Sequence, residues 1–227
     1  MKYYPINLDI RNRKCLVIGG GGVGTRKVAT LLDCGAAVFV VSPEVTPKLQ
    51  DLSNNGNVSL EKRAFRPSDL DGAFLVIGAT DDEVLNRTIH LEAERLGILC
   101  NIADRPDVCN FILPSIVKRG DLTISISTSG KSPAFAKKLR KDLEAEFGEE
   151  YAEFLQLMGV IREKLLAEKH EPEAHKHLFE ALINKGLVDM VKHRRTDEMN
   201  SLLLETLGEG YVVDTLMNRP SEQVEDT

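Results

Sequence analysis

Cysteine is scarce in this sequence of 227 residues, and the four present, Cys15, Cys34, Cys100 and Cys109, form no C-x-x-C pair. Without such pairs there is no disulfide framework to read, and the expectation is reduced thiols packed into the core of a cytoplasmic protein. No apolar run approaches the length of a membrane helix, and the opening Met1-Lys2-Tyr3-Tyr4-Pro5-Ile6 lacks the apolar stretch of a secretory signal. No membrane partner is expected. Internal repeats and low-complexity blocks are also absent. His170, His175 and His177 are the only clustered histidines, and residues two apart on a helix do not converge on one face. They read as solvated, with no metal site expected.

Positive charge is in deficit overall. The net charge of −6 and an isoelectric point near 5.5 fit poorly with nucleic-acid binding. The distribution is uneven, however. Residues 1–145 carry 20 basic and 17 acidic side chains, a net of +3, whereas residues 146–227 carry 9 and 18, a net of −9. A mildly basic front half suits an anionic ligand. Lys137, Lys138, Arg140 and Lys141 form a short basic run that reads as a solvated helix face.

From Lys14 to Ala103, short apolar runs alternate with helical segments, the pattern of a parallel α/β sheet. Strands are expected at Cys15–Ile18, Ala37–Val41, Asn57–Lys62, Ala73–Ile77 and Ile98–Ile102. A helix over Val23–Cys34 is closed by Gly35, and a second, started by a Thr80/Glu83 capping box, is stopped by Gly97. The character then changes. Phe111–Val117 and the alternating Leu122–Ser127 flank a turn at Arg119-Gly120-Asp121. This pair has little of its own to pack on and is expected to pair with another sheet, in a second subunit. Ser132 and Pro133 suit the cap and first position of a helix on which Phe135, Leu139, Leu143 and Phe147 align, ending at Gly148. Glu149 to about Leu207 reads as helical, with breaks near Glu171-Pro172 and Lys185-Gly186. The tail beyond about Asn218 is polar and reads as frayed.

Gly19-Gly20-Gly21-Gly22-Val23-Gly24 carries the chemistry. Gly19, Gly21 and Gly24 satisfy G-x-G-x-x-G between a strand and a helix. Gly19 permits the tight turn, Gly21 the approach of a pyrophosphate, and Gly24 the packing of helix on strand. The helix N-terminus then offers free N–H groups to the phosphates. The ribose reader should end the second strand, near Ser42-Pro43-Glu44. Glu44 reads either as an acceptor for both ribose hydroxyls, favouring NAD because no arginine follows closely, or as a solvated carboxylate. Asp104 and Arg105 follow the fifth strand, where such sheets hold ligands. Asp104 is a candidate base, or a surface turn residue; Arg105 is a candidate anion contact. Thr128-Ser129-Gly130-Lys131-Ser132 fails as a P-loop because Ser125 stands where its first glycine should be. It remains a helix entrance with one lysine.

These residues, taken in order, resemble a known family. Pro5-Ile6 with Arg11, the run Cys15 to Gly21, Ala79-Thr80-Asp81-Asp82, Cys100-Asn101-Ile102-Ala103-Asp104, Phe111–Ile116 and Ser129–Pro133 resemble the front of siroheme synthase and the precorrin-2 dehydrogenases. The likeness spans roughly residues 3–145, and no counterpart of the fused synthases' methyltransferase half falls within the 227 residues. The resemblance implies an α/β fold with a Rossmann-like NAD-binding domain over 1–113, a central α+β dimerisation region over 114–147 and a helical C-terminal domain over 148–227. It implies a homodimer that oxidises precorrin-2 to sirohydrochlorin with NAD⁺, and in some relatives also inserts Fe²⁺ as a co-substrate. Cofactor contacts would fall on Gly22, Val23, Pro43 and Glu44, and the essential aspartate on Asp104. Arg105, Lys118, Arg119 and Lys131 are candidates to hold the carboxylates of the tetrapyrrole. Thr128 stands where some relatives carry a regulatory phosphoserine. The opposing class is a non-enzymatic NAD sensor that gates a partner through its acidic helices.

Overall fold

The computed structural model describes residues 2–168 and 172–218; His170 and the tail beyond Asn218 lie outside them. The chain divides into two units, Met1–Leu113 and Pro114–Thr227.

The first unit is built on a five-stranded parallel sheet: β1 (Lys14–Gly20), β2 (Ala37–Val45), β3 (Ser59–Glu61), β4 (Leu75–Gly78) and β5 (Leu99–Ile102), in the order β3-β2-β1-β4-β5. Apolar runs form the inner strands because both faces are covered, whereas the edge strand β3 keeps Ser59 and Glu61 exposed. Cys15 and Val17 join Val28 and Leu31 of helix α1 (Gly22–Asp33) in one core layer. Leu16 and Ile18 join Ile89 and Ala93 of helix α3 (Glu83–Leu96) in the other. The strand order reverses between β1 and β4, which places a crevice at their carboxyl ends.

Several local expectations are corrected. Helix α3 is capped by Asp82, whose carboxylate accepts the N–H groups of Val84 and Leu85, and not by a Thr80/Glu83 box. Thr80 instead bonds the side chain of Asn86. A helix α2 (Pro47–Asn54), capped by Thr46, stands where none was expected. Strand β2 runs four residues further, through Pro43, because its pairing with β1 shifts between Ile18 and Gly20 and leaves room for an irregular stretch.

In the second unit, β6 (Ser115–Arg119) and β7 (Leu122–Ile126) form an antiparallel hairpin that joins no other sheet among the described residues. The expectation that it lacked a support of its own is corrected. It packs on α4 (Pro133–Glu146) and α5 (Glu150–Ala167), with Val117 buried. Gly120, at φ +54°, lies so close to α5 that a side chain there would meet Cβ of Ala152 at 2.9 Å. Helices α5, α6 (Pro172–Asn184), α7 (Leu187–Lys192), α8 (Thr196–Leu207) and α9 (Val213–Met217) enclose a separate core around Ile161, Leu165, Leu182 and Leu203. His175 on α6 is buried, contrary to the solvated reading, because it shares the inward-facing side of the helix with Leu178 and Leu182. His177 is exposed beside Glu180. No helix among the described residues is long and apolar enough to cross a membrane.

Candidate functional site

The glycine loop leaves β1 at Gly19, whose φ of +107° suits a residue without a side chain. A Cβ on Gly19 would lie 2.2 Å from the carbonyl oxygen of Ala79, on Gly20 2.5 Å from that of Glu44, and on Gly24 2.0 Å from that of Gly19. Three glycines thus serve the chain's own close packing, Gly20 among them, which the motif alone does not single out. Gly21 and Gly22 differ. A Cβ on either would meet nothing within 4 Å. Both are exposed at the start of α1, which has no side-chain cap and no acidic residue in its first turn. The helix mouth is therefore an open, amide-lined surface with partial positive charge, shaped for a phosphate group. Val23 is half-buried behind it.

Strand β2 supplies the adjoining wall. Pro43 and Glu44 are exposed near its end. Ser42, between them and the core, is buried; its Oγ accepts the N–H of Gly20 at 2.9 Å and donates to the carbonyl of Glu44 at 2.6 Å. The hydroxyls of Thr25 on α1 and Thr46 before α2 meet at 2.8 Å. Sequence reasoning missed Ser42, Thr25 and Thr46 as supports of the loop, since only the fold brings them to it.

On the far side of the crevice, Asp104 is exposed just beyond β5. It occupies a turn closed by the Arg105 N–H bonding to the Ile102 carbonyl at 3.2 Å, with φ +60°. An aspartate in a conformation that favours glycine signals a side chain retained at some backbone cost, on the order of 1 kcal/mol. The Sγ of Cys109 holds this turn from within. It accepts the Ile102 N–H at 3.1 Å and donates to the Arg105 carbonyl at 3.0 Å. Burial pushes the Cys109 thiol pKa up, so it stays a protonated donor. Arg105 is exposed and pairs with Asp107 at 3.2 Å and Glu83 at 3.4 Å, so a substrate anion would compete with these carboxylates.

The remaining candidates, Lys118, Arg119 and Lys131, belong to the second unit. Lys118 and Lys131 are exposed. Arg119 is largely covered: it reaches the Glu144 carbonyl at 2.9 Å and the Glu149 carboxylate at 3.3 Å, tying the hairpin to α4 and its C-terminal turn. The Lys131 turn is satisfied internally, with the Ser132 N–H on Thr128 Oγ1 and the Phe135 N–H on Ser132 Oγ. The expected cap at Ser132 is present.

Comparison with known proteins bears on this arrangement. Residues 6–115 match the family described as "Putative NAD(P)-binding", and residues 119–146 match the sirohaem biosynthesis protein central family. The siroheme synthase of Methylococcus capsulatus is 34% identical over 90% of this chain and 43% of its own length. That of Methylobacillus flagellatus is 40% identical over 72% of this chain and 35% of its own. The solved structure of SirC, a precorrin-2 dehydrogenase, superposes with a TM-score of 0.71 at 28% identity, covering 80% of this chain and 89% of that one.

Over most of its length the chain is similar to part of the siroheme synthases.

It spans less than half the length of the curated siroheme synthases it matches. The matched dinucleotide-binding segment coincides with the unit that holds the open glycine loop and Asp104, and the matched central segment with the hairpin and α4.

Proposed function

We propose that this protein oxidises precorrin-2 to sirohydrochlorin with NAD⁺. The observation that carries the reading is the open glycine cradle at one side of the crevice with Asp104 at the other, in a chain that aligns with most of a precorrin-2 dehydrogenase. NAD⁺, when bound, accepts the hydride. The N–H groups of Gly22 and Val23 and the bare surface of Gly21 hold its diphosphate, and Glu44 accepts from the ribose hydroxyls at the end of β2. Asp104, at the carboxyl end of β5, takes up the proton that leaves with the hydride. Arg105 in the first unit, and Lys118, Arg119 and Lys131 in the second, carry positive charge that suits a polycarboxylate substrate. The protein works as a homodimer through the hairpin region, in a reducing cytoplasm suited to four unpaired cysteines.

The test is incubation with enzymatically made precorrin-2 and NAD⁺, followed by near-ultraviolet absorbance of NADH. Formation of NADH with the spectrum of sirohydrochlorin supports the reading. Tight NAD⁺ uptake without turnover would move the protein to the class of nucleotide sensors. Addition of Fe²⁺ to the finished reaction reads metal insertion in the same cuvette.

A further inference from the structure

Lys27 has no part in the machinery described so far. It lies in the second turn of α1, half-buried, with its ammonium bonded to no carboxylate or carbonyl among the described residues. Its direction follows from helix geometry. Thr25 faces the β2–α2 side, where its hydroxyl meets Thr46. Two residues on, at 100° per residue, Lys27 is turned about 200° away from that side. It therefore faces away from the wall that carries Glu44, and the charge of Asp104 reaches it. Burial is the first cause that lowers the Lys27 pKa, the neighbouring charge of Arg26 the second; Asp104 acts in the opposite sense. A half-buried cation that has lost water and gained no bonded partner is poised to gain one from an incoming anion.

We propose that Lys27 is a substrate-binding residue, whose ammonium takes a carboxylate of the tetrapyrrole and so sets the reacting carbon beside Asp104. This rests on the proposed dehydrogenase reading and extends it to a contact from the first helix. Charge and position both matter: Arg26, next in sequence, is exposed on the outer surface of α1 and does not share this placement.

The experiment compares the full-length protein with Lys27→Met and Lys27→Arg by steady-state kinetics, by absorbance titration with sirohydrochlorin, and by calorimetric titration with NAD⁺. Lys27→Met is expected to raise the KM for precorrin-2 and the Kd for sirohydrochlorin by about tenfold, the scale of one charge-assisted contact. The Kd for NAD⁺ should stay within about twofold, and Lys27→Arg should recover most of the loss. The wild-type KM should also rise with ionic strength more steeply than that of Lys27→Met, a response that a purely structural lysine would not produce. Unchanged sirohydrochlorin affinity in Lys27→Met, or a loss that falls on NAD⁺ instead, overturns the assignment. Failure of the underlying reading looks different: the wild-type protein itself would then neither reduce NAD⁺ with precorrin-2 nor bind sirohydrochlorin.

Discussion

The hydroxyl of Ser42 accepts the N–H of Gly20 across 2.9 Å, joining the end of the second strand to the loop that follows the first. The same hydroxyl donates to the Glu44 carbonyl, so one buried side chain ties the glycine loop to the end of β2. Ser42→Ala leaves a buried N–H without its acceptor. The expected cost is about 1–3 kcal/mol in urea unfolding, with a severalfold weaker Kd for NAD⁺ by calorimetry. A variant with wild-type stability and affinity would show that the loop keeps its shape without this bond.

The glycines of the loop divide by what a methyl group would meet. Gly24→Ala drives Cβ to within 2.0 Å of the Gly19 carbonyl oxygen, and must displace helix from strand. Thermal unfolding should show a loss of about 3 kcal/mol or more. Gly21→Ala places its methyl in open space, and stability should change by less than about 1 kcal/mol. Its NAD⁺ affinity should nevertheless fall by at least about tenfold, because the methyl occupies the surface that a diphosphate approaches. Equal behaviour of the two variants would contradict this division.

Much of the first unit is legible in the chain because burial on both sheet faces makes the inner strands read as apolar runs, as in Cys15–Ile18 and Leu75–Ile77. Helix α2 is not legible in the same way. It buries only Leu49, so no apolar stripe reveals it, although Thr46 and Pro47 hold the cap and first position. Spacing to Glu83 points to Thr80 as the α3 cap, yet Asp82 lies nearer the helix and its charge suits the helix dipole. The site divides similarly. Local spacing exposes Gly19, Gly21 and Gly24 because the motif is short. Ser42 and Cys109 reach their partners across folded distance, 22 and 7 residues away, and no spacing rule connects them. Nothing in the local sequence sets Lys27 apart from the other helix lysines or relates it to Asp104, 77 residues on.

Asp104 and its staple make a paired prediction. Asp104→Gly relaxes the turn at φ +60° and should leave stability unchanged or raised by up to about 1 kcal/mol. Dehydrogenase turnover should be abolished with NAD⁺ binding intact. Cys109→Ala keeps the carboxylate but removes the thiol that bonds Ile102 and Arg105. It should lower kcat by about tenfold while the KM for NAD⁺ stays within about twofold, since a small misplacement of a base is costly. Full kcat in Cys109→Ala would show that Asp104 needs no such support.

Asp69 gives the first unit an acid limit whose sign is fixed by its partners. Its side chain is almost wholly covered and accepts Arg63 Nη1 at 2.9 Å, Arg63 Nη2 at 2.8 Å and the Arg66 N–H at 2.8 Å. The Arg63 guanidinium is the main cause that holds its pKa below the ordinary carboxylate value, with burial opposing and the Arg66 N–H assisting. Folding thus favours the ionised form. Above the unfolded value, about 4, both states are ionised and the stabilisation is complete. As pH falls below that value the unfolded chain takes the proton first, and the stabilisation drains away until the folded carboxyl is protonated too. Asp69→Asn should therefore be less stable than wild type near neutrality by urea unfolding, with the gap narrowing at about pH 3. A gap of constant size at both pH values would mean that the carboxylate's charge is not what the Arg63 contact uses.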